Sequence, residues 1–211
     1  MSNEPIEFIF DGDENASLTI VLAHGAGAPM DSPFMNEMAA ELAGHGWRVA
    51  RFEFPYMAKR RLDGKKRGPD RAPVLEAFWA DVVKTLGTPS NLVIGGKSMG
   101  GRIASMAADD LGVAGLVCLG YPFHPPAKPE NLRTEHLIAL KTPALICHGT
   151  RDPFGRPDEV AGYDLSHSID VHWVEDGDHD FKPRKSSGRT QSQNISDAAV
   201  AISDFANKIA S

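Results

Sequence analysis

A chain of 211 residues, 42% apolar and 24% charged, has the balance of one globular domain spanning residues 1–211, which excludes disordered and fibrous classes. The formal net charge of −6 repels a phosphate backbone and argues against a nucleic-acid partner. No window approaches the roughly 20 apolar residues of a membrane span, and Met1 to Phe8 lacks the basic start and apolar run of a signal peptide.

In chain order, short aliphatic runs alternate with longer segments of helical period, the pattern of a mainly parallel sheet covered by helices on both faces. The expected strands are Ile6 to Phe10, Leu18 to Ala23, Arg48 to Phe54, Leu92 to Ile94, Gly115 to Leu119, Ala144 to Cys147 and Ile169 to Val174. A first helix starts at Asp31 or Ser32 with Pro33 in its first turn; others cover about Ala72 to Leu86, Met99 to Leu111 and Ser192 to Ile209. Lys59 to Arg71 holds seven basic residues against two acidic ones, a net +5 that leaves −11 for the rest. It is expected to be a solvated loop near the end of the third strand. Tyr121 to Glu130, rich in proline, is expected as a surface excursion, too short for a lid domain. Cys118 and Cys147 each lie within an apolar run, so no disulfide framework is expected and a reducing cytoplasm fits.

Three loops carry chemistry. Gly96-Lys97-Ser98-Met99-Gly100, between a strand and a helix, is a nucleophile-elbow pattern: side chains two positions either side of the serine would collide with neighbouring backbone. A phosphate-binding loop is the competing reading of Gly96-Lys97-Ser98, but Asn91 stands where its first glycine is required. Gly25-Ala26-Gly27 starts like a dinucleotide fingerprint, but Met30 replaces the third glycine. The small-residue loop His24 to Ala28 suits an oxyanion hole, with the amides of Ala26 and Met99 as donors and His24 as a structural residue. Asp152, in His148-Gly149-Thr150-Arg151-Asp152, follows a strand end and can orient an imidazole. Of the later histidines, His167 precedes the last strand and His172 lies within it. His179 follows it and is the expected base. Asp176, Asp178 and Asp180 surround His179 without the second histidine or loop pattern of a metal site, so no metal and no cofactor are expected.

The segments HGAGAPMDSPF, FEFPYM, GGKSMGGR, HGTRDPFG and GDHDF together resemble the small α/β-hydrolase-like domains of bacteria, related to a testis-expressed protein and to a subunit of the nonspecific-lethal chromatin complex. More distantly, the chain is similar to dienelactone hydrolases. The resemblance implies about eight strands and a Ser98, Asp152, His179 triad, and some relatives serve as interaction modules. The expected function is a carboxylesterase or thioesterase; a peptidase and a non-catalytic interaction module are the alternatives. Tyr121 and Phe123 are expected to wall the pocket, and Arg60 and Arg61 to attract an anionic group on a small-molecule ester substrate. Oligomeric state is not legible.

Overall fold

A computed structural model describes residues 5–211; residues 1–4, half of the segment read above for a signal peptide, lie outside it. Seven strands form one sheet: β1 (Phe8–Asp11), β2 (Thr19–Ala23), β3 (Arg48–Phe52), β4 (Leu92–Lys97), β5 (Gly115–Leu119), β6 (Ala144–Gly149) and β7 (Ile169–Val174). Their spatial order is β1-β3-β2-β4-β5-β6-β7. Every pairing is parallel except β1 on β3. The eight strands implied by the resemblance are therefore seven among the described residues.

The helices are α1 (Pro33–Gly44), α2 (Pro55–Asp63), α3 (Ala72–Leu86), α4 (Met99–Leu111), the single turn α5 (Pro157–Val160) and α6 (Gln191–Ala210). Strands β2, β4, β5 and β6 are buried along their whole length because helices cover both faces, which explains their unbroken aliphatic runs. On one face, α3 and α4 pack Trp79, Val82, Ile103 and Ala104 against Ile94 and Phe52. On the other, α1 and α6 pack Met38, Leu42, Ile195 and Ile202 against Ile20 and Val93. Cys118 belongs to the first core and Cys147 to the second, so the thiols lie on opposite faces and both are free. Burial pushes the Cys147 thiol up to about 12.

Helix starts follow their local chemistry. Ser32 precedes α1 with Pro33 in the first turn. Thr190 opens α6 with a capping box, its side chain accepting from the Gln193 amide. The third strand stops at Phe52 instead of Phe54, because Pro55 begins α2 and the Phe54 amide turns to bond His24. The expected loop from Lys59 is helical as far as Asp63; among the described residues, no helix is long and apolar enough to cross a membrane.

From β2 the chain reaches β3 on one side and β4 on the other, so the order reverses between the adjacent strands β2 and β4. Helix α1, after β2, lies on one face and α4, after β4, on the other, which opens a crevice beyond the two strand ends. Trp79 anchors the core beneath it, fully buried with its ring centroid 4.8 Å from that of Phe52. Trp79→Ala is expected to cost about 3–5 kcal/mol. Urea unfolding checks this as a lower midpoint at unchanged slope.

Candidate active site

Ser98 occupies the turn from β4 into α4 at φ 52° and ψ −113°, a conformation that a non-glycine residue holds only under constraint. The constraint is visible at both flanking glycines. A Cβ on Gly96, where φ is +148°, would lie 2.1 Å from the Ala23 carbonyl oxygen, and one on Gly100 would lie 2.6 Å from the carbonyls of Ala23 and His24. The Ser98 amide donates to Leu119 O at 2.9 Å, tying the turn to β5.

His179 Nε2 lies 2.9 Å from Ser98 Oγ, and Nδ1 lies 2.7 Å from Asp152 Oδ2. A carboxylate only accepts, so Nδ1 carries the proton and Nε2 is free to take one from the serine. The imidazole packs against Phe154, ring centroids 4.4 Å apart. Asp152 is fully buried, and its Oδ1 accepts from the Phe154 amide at 2.9 Å. Burial by itself would raise this carboxyl. The His179 hydrogen bond, the adjacent His148 and the Phe154 amide outweigh it and hold the group below the ordinary aspartate value. His148, with no exposed surface, donates from Nε2 to Gly155 O at 2.8 Å; burial lowers it to about 4, so it stays neutral near pH 7 behind Asp152.

The base loop is held from several sides. Asp178 accepts from the amides of Asp180 and Lys182, both at 2.9 Å, and Asp176 accepts from the Arg184 backbone and side chain. Asn194 on α6 donates to Glu175 O and Phe181 O. The three aspartates around His179 are thus engaged by amides, Arg184 and, for Asp180, a lysine. Lys97 Nζ lies 3.2 Å from Asp180 Oδ1 and 5.4 Å from the Phe34 ring centre. This pair joins the residue before the nucleophile to the residue after the base, in parallel with the Ser98–His179 hydrogen bond. Desolvation lowers the proton affinity of Lys97, opposed mainly by Asp180.

A cleft of about 470 Å³ opens over these groups, lined by Ala26, Phe34, Met35, Lys97, Ser98 and His179 among others. Its β2 side is the loop Gly25 to Ala28. The amides of Ala26 and Met99 donate to no described residue. The loop is instead fixed through its carbonyls: Tyr56 OH donates to Ala26 O at 3.0 Å and Arg60 Nη1 to Gly27 O at 3.2 Å. His24 is fully buried; it accepts from the Phe54 amide at Nε2, which leaves the Nδ1 proton for Gly25 O at 2.7 Å. Burial lowers its pKa and keeps it neutral in this structural place.

Four expected pocket residues stand elsewhere. Arg61 is paired with Asp31 at 2.7 Å and Glu53 at 2.6 Å, so its charge is compensated within the fold. Arg60 donates to Gly27 O and is not among the residues lining the cleft. Tyr121 and Phe123 are fully buried core residues and do not line the cleft over Ser98, since the first residues of the proline-rich excursion turn inward. Sequence reasoning missed α2, whose Tyr56 and Arg60 hold the loop, although FEFPYM marks its start. It also missed the Lys97–Asp180 pair, for which adjacency to Ser98 and His179 was the available signal. A second groove of about 350 Å³, lined by Met30, Glu53, Arg61, Leu62 and Phe78, holds no nucleophile.

The family model described as "Alpha/beta hydrolase domain" matches residues 16–207. The chain belongs to the α/β-hydrolase family. Three solved structures are similar to this α/β-hydrolase in fold. An α/β serine hydrolase homologue from Coxiella burnetii is 18% identical with a TM-score of 0.69, covering 95% of this chain and 97% of its own. A dienelactone hydrolase from Anabaena variabilis is 19% identical with a TM-score of 0.72, covering 96% and 91%. A Xanthomonas campestris protein described as an α/β serine hydrolase without lid is 18% identical with a TM-score of 0.68, covering 97% and 89%.

The Lys97–Asp180 pair makes an asymmetric prediction. Lys97→Met removes a nearly buried charge and leaves an exposed carboxylate, so stability stays within about 1 kcal/mol of the native value. Asp180→Asn strands the ammonium and costs roughly 1–3 kcal/mol. Urea midpoints at pH 7 read the order, and equal losses would mean that the pair is inert.

Proposed function

We propose that this α/β-hydrolase is a single-domain serine hydrolase, a carboxylesterase or thioesterase acting on small acyl esters through an acyl-enzyme. The observation that carries the reading is the unbroken relay from Ser98 Oγ through His179 to buried Asp152, at 2.9 and 2.7 Å, built on a strained turn. Ser98 attacks the substrate carbonyl while His179 Nε2 accepts its proton. Asp152 stabilises the resulting imidazolium and holds its orientation. The amides of Ala26 and Met99 receive the oxyanion; Met99 is the first residue of α4, where helix amides point outward and favour negative charge. The imidazolium then protonates the leaving alcohol or thiol, and the same base activates water to release the acid.

Substrate size follows from the cleft, about 470 Å³ and flanked by small residues at Gly25, Ala26, Gly27 and Ala28, which suits short acyl groups. The acyl group is uncharged in this reading. Arg60 and Arg61 are engaged by Gly27 O, Asp31 and Glu53, and Lys97 in the cleft lining is paired with Asp180. A cytoplasmic setting accords with two buried cysteines on opposite sheet faces. Kinship with the testis-expressed and chromatin-complex proteins rests on the loop motifs alone.

The test is turnover of p-nitrophenyl acetate and butyrate, a short acyl thioester and a peptide anilide. Ester and thioester are hydrolysed, the anilide is not, and Ser98→Ala lowers kcat by at least about 10³-fold with the fold intact. Asp152→Asn lowers kcat with little change in KM, because it disturbs the tautomer and not the cleft. Preferential anilide cleavage would favour a peptidase. A folded native protein that turns over none of them, or a Ser98→Ala variant as active as the native chain, would overturn the reading in favour of an interaction module.

A further inference from the structure

The chain carries an excess of acid, and many of its arginines, buried or exposed, find a carboxylate. Arg51, Arg61, Arg67, Arg151, Arg184 and Arg189 each pair with a carboxylate. Arg102 on α4 and Arg133 in the segment after β5 do not. Both are half-buried, and among the described residues neither guanidinium has a hydrogen bond, an ion pair or an aromatic face. Arg102 Nε is enclosed with no partner at all. A half-buried cation in this condition has lost hydration without an opposite charge to offset it.

The backbones of the two arginines are tied into one hydrogen-bonded bridge. Ser105 Oγ donates to Arg102 O at 2.7 Å, and Tyr121 OH donates to Arg133 O at 2.8 Å. With both hydroxyl protons committed, His136 Nε2, 2.8 Å from Ser105 Oγ and 3.4 Å from Tyr121 OH, is the donor between them. Tyr121 is fully buried and Ser105 nearly so, which makes this bridge rigid. Burial and then the Arg102 charge push His136 down to about 4, and Arg133 is lowered by burial and by Arg102. The bridge from Arg102 O through Ser105, His136 and Tyr121 to Arg133 O places the two residues in one neighbourhood. Glu135, the carboxylate nearest in sequence, is exposed and pairs with neither.

We infer that Arg102 and Arg133 form a second, phosphate-type oxyanion site, separate from the acyl cleft and mounted on the first turn of the nucleophile helix. Two planar forks on a pre-set backbone match the oxygens of a tetrahedral phosphate bidentately, and an incoming dianion supplies the missing counter-charge. The Arg102 amide donates to Ser98 O at 3.0 Å, so the site is one helical turn from the nucleophile. Neither arginine lines the cleft. The inference does not depend on turnover, because its readout is binding.

Isothermal titration of the full chain with inorganic phosphate, and in parallel with phenyl phosphate, at matched ionic strength is the test. Native protein binds with saturation, and Arg102→Gln and Arg133→Gln each weaken affinity at least about 10-fold, as expected for loss of one bidentate charged contact. Tighter binding of phenyl phosphate assigns the site to a phosphomonoester; equal or weaker binding assigns it to the free ion. Arg133 lies outside any helix or strand, so its variant keeps the test open if Arg102→Gln fails to fold. Heats that do not saturate, or an affinity unchanged in either folded variant, would overturn the inference.

Discussion

The backbone contact between the β4–α4 turn and the end of β2 is the constraint on which the site depends. Gly96 and Gly100 lie so close to the carbonyls of Ala23 and His24 that no side chain fits at either position. That approach holds Ser98 at a strained positive φ and places its hydroxyl within reach of His179. It also brings the β2 loop beside the first turn of α4, the two places from which amide donors can meet one oxygen. The cost in strain is met by the buried parallel ladder on either side, β2 with β4 and β4 with β5.

A second layer of structure holds what the turn exposes. Helix α2 reaches under the β2 loop with Tyr56 and Arg60, and His24 closes the contact by bonding Phe54 and Gly25. These groups occupy the loop's carbonyls, and the Ala26 amide has no partner among the described residues. The base is treated likewise: Asp178, Asp176 and Asn194 fix the loop around His179, and Lys97–Asp180 joins it to the elbow. Much of the charge near the site therefore serves geometry: Arg60 and Arg61, which look like a ligand surface in the sequence, are engaged by Gly27 O, Asp31 and Glu53.

What the sequence made legible was what local rules govern. The aliphatic runs marked the strands, because strands buried on both faces lose their alternation. Pro33 and the Met35, Met38, Leu42 stripe marked α1. Gly96 and Gly100 flagged the elbow, and chain order with strand position singled out Asp152 and His179 from the other candidates. Apart from helix α2, the end of the third strand and the strand number, the misreadings concern side-chain direction or long-range pairing. Arg61 reads as free cation until Glu53 and Asp31, from two other segments, are placed beside it. Tyr121 and Phe123 read as pocket walls because they follow a strand end, yet Gly120, at φ +66°, turns the chain so that both rings enter the core. Arg102 and Arg133 lie 31 positions apart, and their common setting is created by Tyr121, Ser105 and His136.

The central claim is that Ser98 is an activated nucleophile because of this relay. Intact-mass measurement of covalent labelling by a fluorophosphonate tests it whatever the natural substrate is. The account predicts one adduct on the native chain, none on Ser98→Ala and strongly slowed labelling of His179→Ala. A folded native protein that stays unlabelled, or equal labelling of the Ser98→Ala variant, would contradict it.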